Sequence, residues 1–254
     1  MAITIKSERE IELMAEAGKI LERVHNELEK ALRPGMSTKD VDTLGEEIIR
    51  SYGCIPSFLN YNGYPASICV SVNQEVVHGI PDKHRIIQEG DIVSLDAGVI
   101  YKGYHSDAAR THAVGEVSEE AKKLIQVTKE SFFEGIKFAK AGNHLFDISG
   151  AIGRYAEERG YGVVRDLCGH GIGTALHEAP EIPNYEVGRK GVKLRPGMTL
   201  AIEPMINIGT HEVDWLDDDW TVVTRDGSLS AHYENTILIT EGEPRILSLT
   251  CDNE

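Results

Sequence analysis

The sequence contains no apolar run approaching the roughly 18 residues that cross a bilayer, which excludes a membrane-spanning helix and a membrane partner. Cysteine is scarce: Cys54, Cys69, Cys168 and Cys251 are widely spaced, with no C-x-x-C among them. That spacing excludes a zinc ribbon and a disulfide scaffold, and all four read as free thiols. Basic residues are few, with 26 Lys and Arg against 41 Asp and Glu, and no Lys/Arg stripe offsets the net charge of −15. Such a surface repels the nucleic-acid backbone, so nucleic acid is excluded as a partner. Met1 to Lys6 are too few and too polar, before the acidic stretch Glu8 to Glu12, to form the apolar part of a secretion signal. The chain is therefore assigned to the cytoplasm. Linkers, low-complexity tracts and charge blocks are also missing, so nothing marks a domain boundary.

What remains is an ordinary globular composition, 41% hydrophobic and 26% charged, with a helical grammar that is written twice. Ser7 and Glu10 form a capping box, and Ile11, Met14, Gly18, Leu21, Leu28 and Leu32 follow at helical spacing as far as Pro34-Gly35. A second helix starts at Ser37 or Thr38, buries Val41, Leu44 and Ile48, and stops at Gly53. Ser118 opens a third, carrying Ala121, Leu124, Ile125, Phe132 and Ile136 and ending at Ala141-Gly142. A fourth buries Ile148, Ile152 and Tyr155 and ends at Gly160. Gly35 and Gly142, Asp40 and Asp147, Val41 and Ile148, Gly53 and Gly160, and Gly90 and Gly197 are each 107 positions apart, and so are Asp96 and Glu203. The tripeptide His78-Gly79-Ile80 returns as His170-Gly171-Ile172 at a spacing of 92, which requires a difference in loop length between the halves. A duplicated helix-helix-strand unit packs about a pseudo-twofold axis and brings matched carboxylates to that axis. The expectation is a single catalytic domain over residues 1–254, with internal halves at approximately 7–112 and 118–240.

The carboxylates carry the chemistry. Asp91 to Gly98 reads as a strand and Lys102-Gly103 as a hairpin turn. With the turn centred between Tyr101 and Lys102, Asp96 and Asp107 stand directly opposed on one sheet face, their Cβ atoms roughly 5 Å apart. Two buried anions at that distance repel unless a proton or a cation lies between them. A solvent-facing pair at a hairpin end would need neither, but it would not explain Glu203 at the end of the apolar strand Met198–Met205, nor Glu234 entering the apolar stretch Ser230–Ile239. Lone carboxylates in apolar strands are rare without a partner. His170 adds an imidazole in the glycine-rich segment Cys168–Gly173. Four carboxylates balance two divalent cations, and oxygen ligands with one imidazole suit cobalt, manganese, iron or zinc rather than a structural zinc held by thiolates.

These residues in this order, with the phrases Asn62-Gly-Tyr-Pro-Ala-Ser67, Ser71-Val-Asn-Gln-Glu-Val-Val-His-Gly-Ile-Pro81, Cys168-Gly-His-Gly-Ile-Gly173 and Ala201-Ile-Glu-Pro204, resemble the type I methionine aminopeptidases over about the whole chain. With no amino-terminal Cys-rich extension and no room for the type II helical insertion, the chain is similar to the short bacterial form. The resemblance implies an α+β pita-bread fold, two pseudo-twofold halves around a central antiparallel sheet. It also implies the removal of N-terminal methionine from nascent polypeptides in which a small residue follows, by attack of a hydroxide shared between two metal ions, with transient association at the ribosome.

Carried over position by position, the resemblance makes Asp96, Asp107, His170, Glu203 and Glu234 the metal ligands, with Asp107 and Glu234 bridging both ions. Glu203 becomes the general base, His177 steadies the developing oxyanion, and His78 hydrogen-bonds the amide beyond the scissile bond. Tyr61, Tyr64, Cys69 and Trp220 form the methionine pocket, an apolar slot suited to an unbranched thioether. Phe58 and Leu176 depart from relatives that carry Cys and Phe there, which bears on side-chain preference. Asp217 to Asp219 read as a solvated loop without chemistry. Two other functions share this pattern: a proline-selective pita-bread peptidase, which normally has a further amino-terminal domain, and a non-catalytic peptide-binding member of the fold, which usually loses ligands.

Overall fold

The repeated helical grammar becomes two pairs of helices covering one face of a large antiparallel sheet. The structure is a computed structural model describing residues 3–249, so Cys251 lies outside the described residues. Helix α1 (Glu8–Ala31) starts where the Ser7 hydroxyl accepts from Glu10 N–H and the Glu10 carboxylate accepts from Ser7 N–H, satisfying two otherwise orphaned donors. Helix α2 (Thr38–Ser51) repeats the device with Ser37 and Asp40. Helix α3 (Glu119–Ile136) begins at the Ser118 cap and α4 (Leu145–Glu157) at His144, whose N–H donates to Asp147. Helix α3 stops short of Ala141-Gly142, because Phe138 and Ala139 bond three residues back rather than four and unwind it. Leu44, Ile125 and Tyr155 are only partly buried; the Tyr155 hydroxyl leaves the core to donate to Glu130 at 2.6 Å.

The 107-residue offset persists in three dimensions. Gly35 and Gly142 share φ values of 91° and 95°, and the isolated bridges Ser37–Ile86 and His144–Lys193 are the same bridge one repeat apart. The tripeptide repeat at 92 does not persist. Cys69 lies opposite Asp96, and continuing the His170–Ala201 register puts Cys168 opposite Glu203. Cys69 and Cys168 are 99 positions apart, as are His78 and His177, so the mate of His78 is His177 and not His170. The two halves differ in where their loops are long. Gly53 to Cys69 spans 16 positions where Gly160 to Cys168 spans 8, and the longer first-half loop carries Phe58, Tyr61 and Tyr64.

Strands Ile55–Pro56, Ile92–Tyr101, Tyr104–Ala113, Glu234–Leu238, Thr199–Ile202, Gly169–Gly171 and Glu178–Ile182 lie side by side in that order. Ile68–Val72 also pairs with Ile92–Tyr101, and Arg245–Ile246 with Glu234–Leu238. The hairpin turn is centred between Lys102 and Gly103, since Tyr101 pairs with Tyr104. Both loop residues have positive φ, 49° and 85°, as the twist-matched two-residue hairpin turn requires. Asp96 is consequently opposite Ala109 and Asp107 opposite Gly98, so the two carboxylates are diagonal neighbours rather than directly opposed. They keep a common face because the shift moves each partner by two positions.

The helix-facing side of the sheet holds the core. Leu21, Leu28 and Ile49 meet Leu95 in one half, and Phe132, Ile148 and Ile152 meet Ile202 and Ile237 in the other. No helix among the described residues is long and apolar enough to cross a membrane. Helix α1 touches the carboxyl-terminal backbone through Gly18, where an added Cβ would lie 2.0 Å from the carbonyl oxygen of Leu247. Gly18→Ala is therefore expected to destabilise the fold by roughly 1–3 kcal/mol, because backbone on both sides must shift. Denaturant unfolding with an unchanged midpoint would show that this contact relaxes freely.

Candidate metal centre and substrate cleft

Strand register alone collects the predicted ligands. One row across the sheet reads Cys69, Asp96, Ala109, Glu234, and its continuation beyond the Asn235–Ile202 pair reaches Glu203. The next row on the same face reads Gly98, Asp107, Thr236, Ala201, His170. Side chains two apart along a strand share a face, so five ligating groups converge on one patch with Ala109, Ala201 and Gly98 leaving the space between them. Thr236 fixes Asp107, its hydroxyl accepting from Asp107 N–H and donating to Asp107 C=O, both at 2.9 Å.

The ligating atoms of Asp107, His170 and Glu234 all lie within 4.8 Å of one another. His170 Nε2 is 3.8 Å from Asp107 Oδ2 and 3.5 Å from Glu203 Oε1. Its Nδ1 is 2.9 Å from the Gly171 carbonyl and must donate there, which leaves Nε2 with a bare lone pair. Burial holds this imidazole neutral, with a pKa of about 3. The carboxylates move the other way. Burial, with a smaller opposing hydrogen bond to Asp107, pushes Asp96 up to about 7. Burial pushes Asp107, Glu203 and Glu234 well above the usual carboxylate range, and each is raised further by its acidic neighbours. Asp96 Oδ1, Asp107 Oδ1 and Glu234 Oε1 are buried without any hydrogen-bond partner among the described residues. Buried carboxylate oxygens left unsatisfied beside a bare imidazole nitrogen fit a divalent cation.

Beside this patch opens a cavity of about 170 Å³. Every residue expected at the site lines it: the five ligands, His78, His177, Tyr61, Tyr64, Cys69 and Trp220, with Phe58 and Leu176 at its apolar wall. The Tyr61 hydroxyl is 2.7 Å from His177 Nδ1, and the His177 and His170 rings are 4.1 Å apart. Trp220 packs edge-on against Tyr64 at 5.1 Å and against His78 at 6.3 Å. The Tyr64 hydroxyl donates to Gly79 C=O at 3.0 Å, tying the aromatic wall to the His78 loop. His78 itself holds a φ of 59°, a left-handed conformation uncommon for a residue with a Cβ. Burial keeps the Cys69 thiol protonated and His78 neutral, with a pKa of about 4.

Two residues of the site, Asn62 and His232, were not singled out in the sequence, and a third, Asp218, was read as solvated loop. Asn62 lines the cavity from the long first-half loop. His232 is fully buried with its Nε2 4.0 Å from Glu203 Oε2, and its place two residues before Glu234 in the sequence was the available signal. Asp218 is not idle, since its carboxylate accepts from Trp220 N–H, Thr221 N–H and the Thr221 hydroxyl and so sets the turn that delivers Trp220.

A sheet-borne cluster of carboxylates and one imidazole at the floor of an apolar cleft defines the class of metal-dependent hydrolases. Residues 12–241 match the model of metallopeptidase family M24. A methionine aminopeptidase of Clostridium acetobutylicum is 58% identical over 247 residues, covering 97% of this chain and 99% of the relative. The crystal structure of a methionine aminopeptidase from Thermotoga maritima is similar with a TM-score of 0.96 and 48% identity, covering 98% of this chain and 100% of that one. An Xaa-Pro dipeptidase from Bacillus anthracis is more distant, with a TM-score of 0.78 and 28% identity, covering 97% of this chain and 62% of the other. The chain belongs to metallopeptidase family M24 and, within it, to the type I methionine aminopeptidases of the short bacterial form.

Proposed function

We infer that the chain is a metallo-aminopeptidase that removes the N-terminal methionine of nascent polypeptides whose second residue is small, using two divalent ions. The observation that carries this reading is the adjacency of the five ligands to an apolar slot walled by Tyr61, Tyr64, Cys69 and Trp220. Two ions follow from charge: four buried carboxylates need a compensation of four, and cobalt, manganese, iron and zinc each supply two. Asp96 and Asp107 come from the first half and His170, Glu203 and Glu234 from the second, so residues 7–112 and 118–240 act as one catalytic domain. When bound, the ions supply an acidified water and a polarised scissile carbonyl.

The chain's own groups do the rest. Glu203, with its side chain 15% exposed, reaches the cleft and takes up and returns the proton. Burial raises the Tyr61 phenol, so it stays protonated and donates to His177 Nδ1. That places the His177 proton on Nε2, where it can donate to the developing oxyanion. His78 donates to the next amide of the substrate, and the slot encloses the thioether away from water. His177→Ala is expected to lower kcat by roughly 10²- to 10³-fold with metal content unchanged, as read by metal analysis beside steady-state kinetics.

Release of methionine from Met-Ala and Met-Gly peptides with added metal tests the whole reading. Faster cleavage of substrates with proline in second place would favour the proline-selective alternative. No turnover with any of the four metals would leave a peptide-binding protein.

A further inference from the structure

His177 sits on a loop rather than on the sheet. The strands Gly169–Gly171 and Glu178–Ile182 pair with Gly171 opposite Glu178, and residues 173–177 between them form successive bends outside any strand. The near end of that loop is fixed by the sheet: Ile172 N–H donates to Thr199 C=O at 3.2 Å, and Gly173 C=O accepts from His105 N–H at 2.8 Å. A buried ion pair holds the far end. Lys6 Nζ lies 2.6 Å from Glu178 Oε2, with the two side chains only 4% and 13% exposed. The Thr4 hydroxyl donates to the same oxygen at 2.6 Å, while Glu178 Oε1 accepts from Ala175 N–H at 3.3 Å, two residues before His177. Burial raises the Glu178 carboxyl, but the hydrogen bonds from Lys6 and Thr4 outweigh it and hold the group below the usual carboxylate range. The pair lies directly against Gly173, where an added Cβ would fall on Lys6 Cε and Glu178 Oε1.

Lys6 is itself seated on the sheet. Its N–H donates to Gly197 C=O at 2.8 Å, just ahead of the strand Thr199–Ile202 that leads into Glu203. A continuous strut therefore runs from the strand before Glu203, through Gly197 and Lys6, to Glu178 and so to His177. Desolvation offsets most of the attraction within a buried ion pair, so its contribution to net stability is small and its main effect is on position. We propose that Lys6 is a positioning residue for His177, setting through Glu178 where the imidazole stands relative to Glu203. The Tyr61 hydroxyl, 2.7 Å from His177 Nδ1, orients the ring, and the strut holds the backbone beneath it. The proposal rests on the reading of His177 as the donor to the oxyanion.

The test is a kinetic double-mutant cycle on the metal-loaded protein, with metal content and the denaturant midpoint measured for each variant. Lys6→Met removes the ammonium and keeps an unbranched side chain. Glu178→Gln breaks the charge pair without leaving a carboxylate buried alone, so it serves where Lys6→Met fails to fold. Either is expected to lower kcat for methionine release by roughly tenfold to a hundredfold, with KM and metal content little changed. In a His177→Ala background the same substitution should cost less than about twofold, because the group it positions is gone. Equal losses in both backgrounds, or a lower unfolding midpoint with wild-type kcat, would overturn the proposal and leave the pair a staple of the fold alone. A His177→Ala variant as active as the wild type would instead refute the oxyanion reading itself, and the proposal with it.

Discussion

Replacing Glu203 by glutamine is expected to lower kcat for methionine release by roughly 10²- to 10⁴-fold, the usual span for loss of a positioned general base. The substitution keeps the shape of the side chain and an oxygen that can still ligate, so metal analysis should find most of the metal retained and KM should change little. Stability should hold or improve. In the metal-free chain the Glu203 charge is among the causes that raise Asp107 and Glu234, and removing it relieves that repulsion. A kcat within tenfold of the wild type would remove Glu203 from the role of base. Loss of the metal in the same variant would move its importance from proton transfer to ligation.

Stripping the metal with a chelator is expected to abolish turnover and to change how stability depends on pH. The four carboxylates have folded pKa values above their unfolded ones, Asp96 reaching about 7 through burial. An unfolded chain ionises them more readily, so it binds fewer protons than the folded chain, and stability falls as pH rises from about 4 through each folded value. The buried histidines act oppositely at lower pH. His170 and His232 are held at about 3 and His78 and His105 at about 4, mainly by burial. Their contribution is complete above the unfolded value of about 6.5 and is lost as pH drops. The metal-free protein should therefore be most stable near pH 6.5 and lose Tm toward pH 8, where only the carboxylates still titrate. Adding Mn²⁺ should flatten the alkaline side, since the cation favours the ionised form. A metal-free Tm that is level from pH 6.5 to 8 would show that the carboxylates are not packed against one another as the sheet register places them.

The helices were legible because their signals are local. Ser7 with Glu10 and Ser37 with Asp40 are three residues apart, and a capping box needs nothing from the rest of the chain. The ligands were legible for a different reason: Asp96 and Glu234 stand in apolar strands, and Glu203 directly follows one, where a charge has no place without a partner. The failures share a cause too. Moving the turn centre to Lys102-Gly103 required the Tyr101–Tyr104 pairing, and matching His78 to His177 required the register of strands far apart in sequence. Asp218 was dismissed because a run of acids looks solvated until the turn it stabilises is seen to carry Trp220. His232 was overlooked because the sequence places it near Glu234, whereas its approach to Glu203, 29 positions away, exists only in the fold.

By itself the sequence determined the duplicated helix-helix-strand plan, the capping and turn residues and the identity of the groups able to ligate, since these follow from spacing within a few residues and from the cost of a charge in an apolar strand. Only the tertiary structure decided which groups are neighbours. The two rows that bring Asp96 into line with Glu234 across Ala109, and Asp107 into line with His170, exist because strands from both halves pair at one register. Pairing between residues more than 100 positions apart is set by burying a whole sheet face at once, and no short stretch of sequence carries that information.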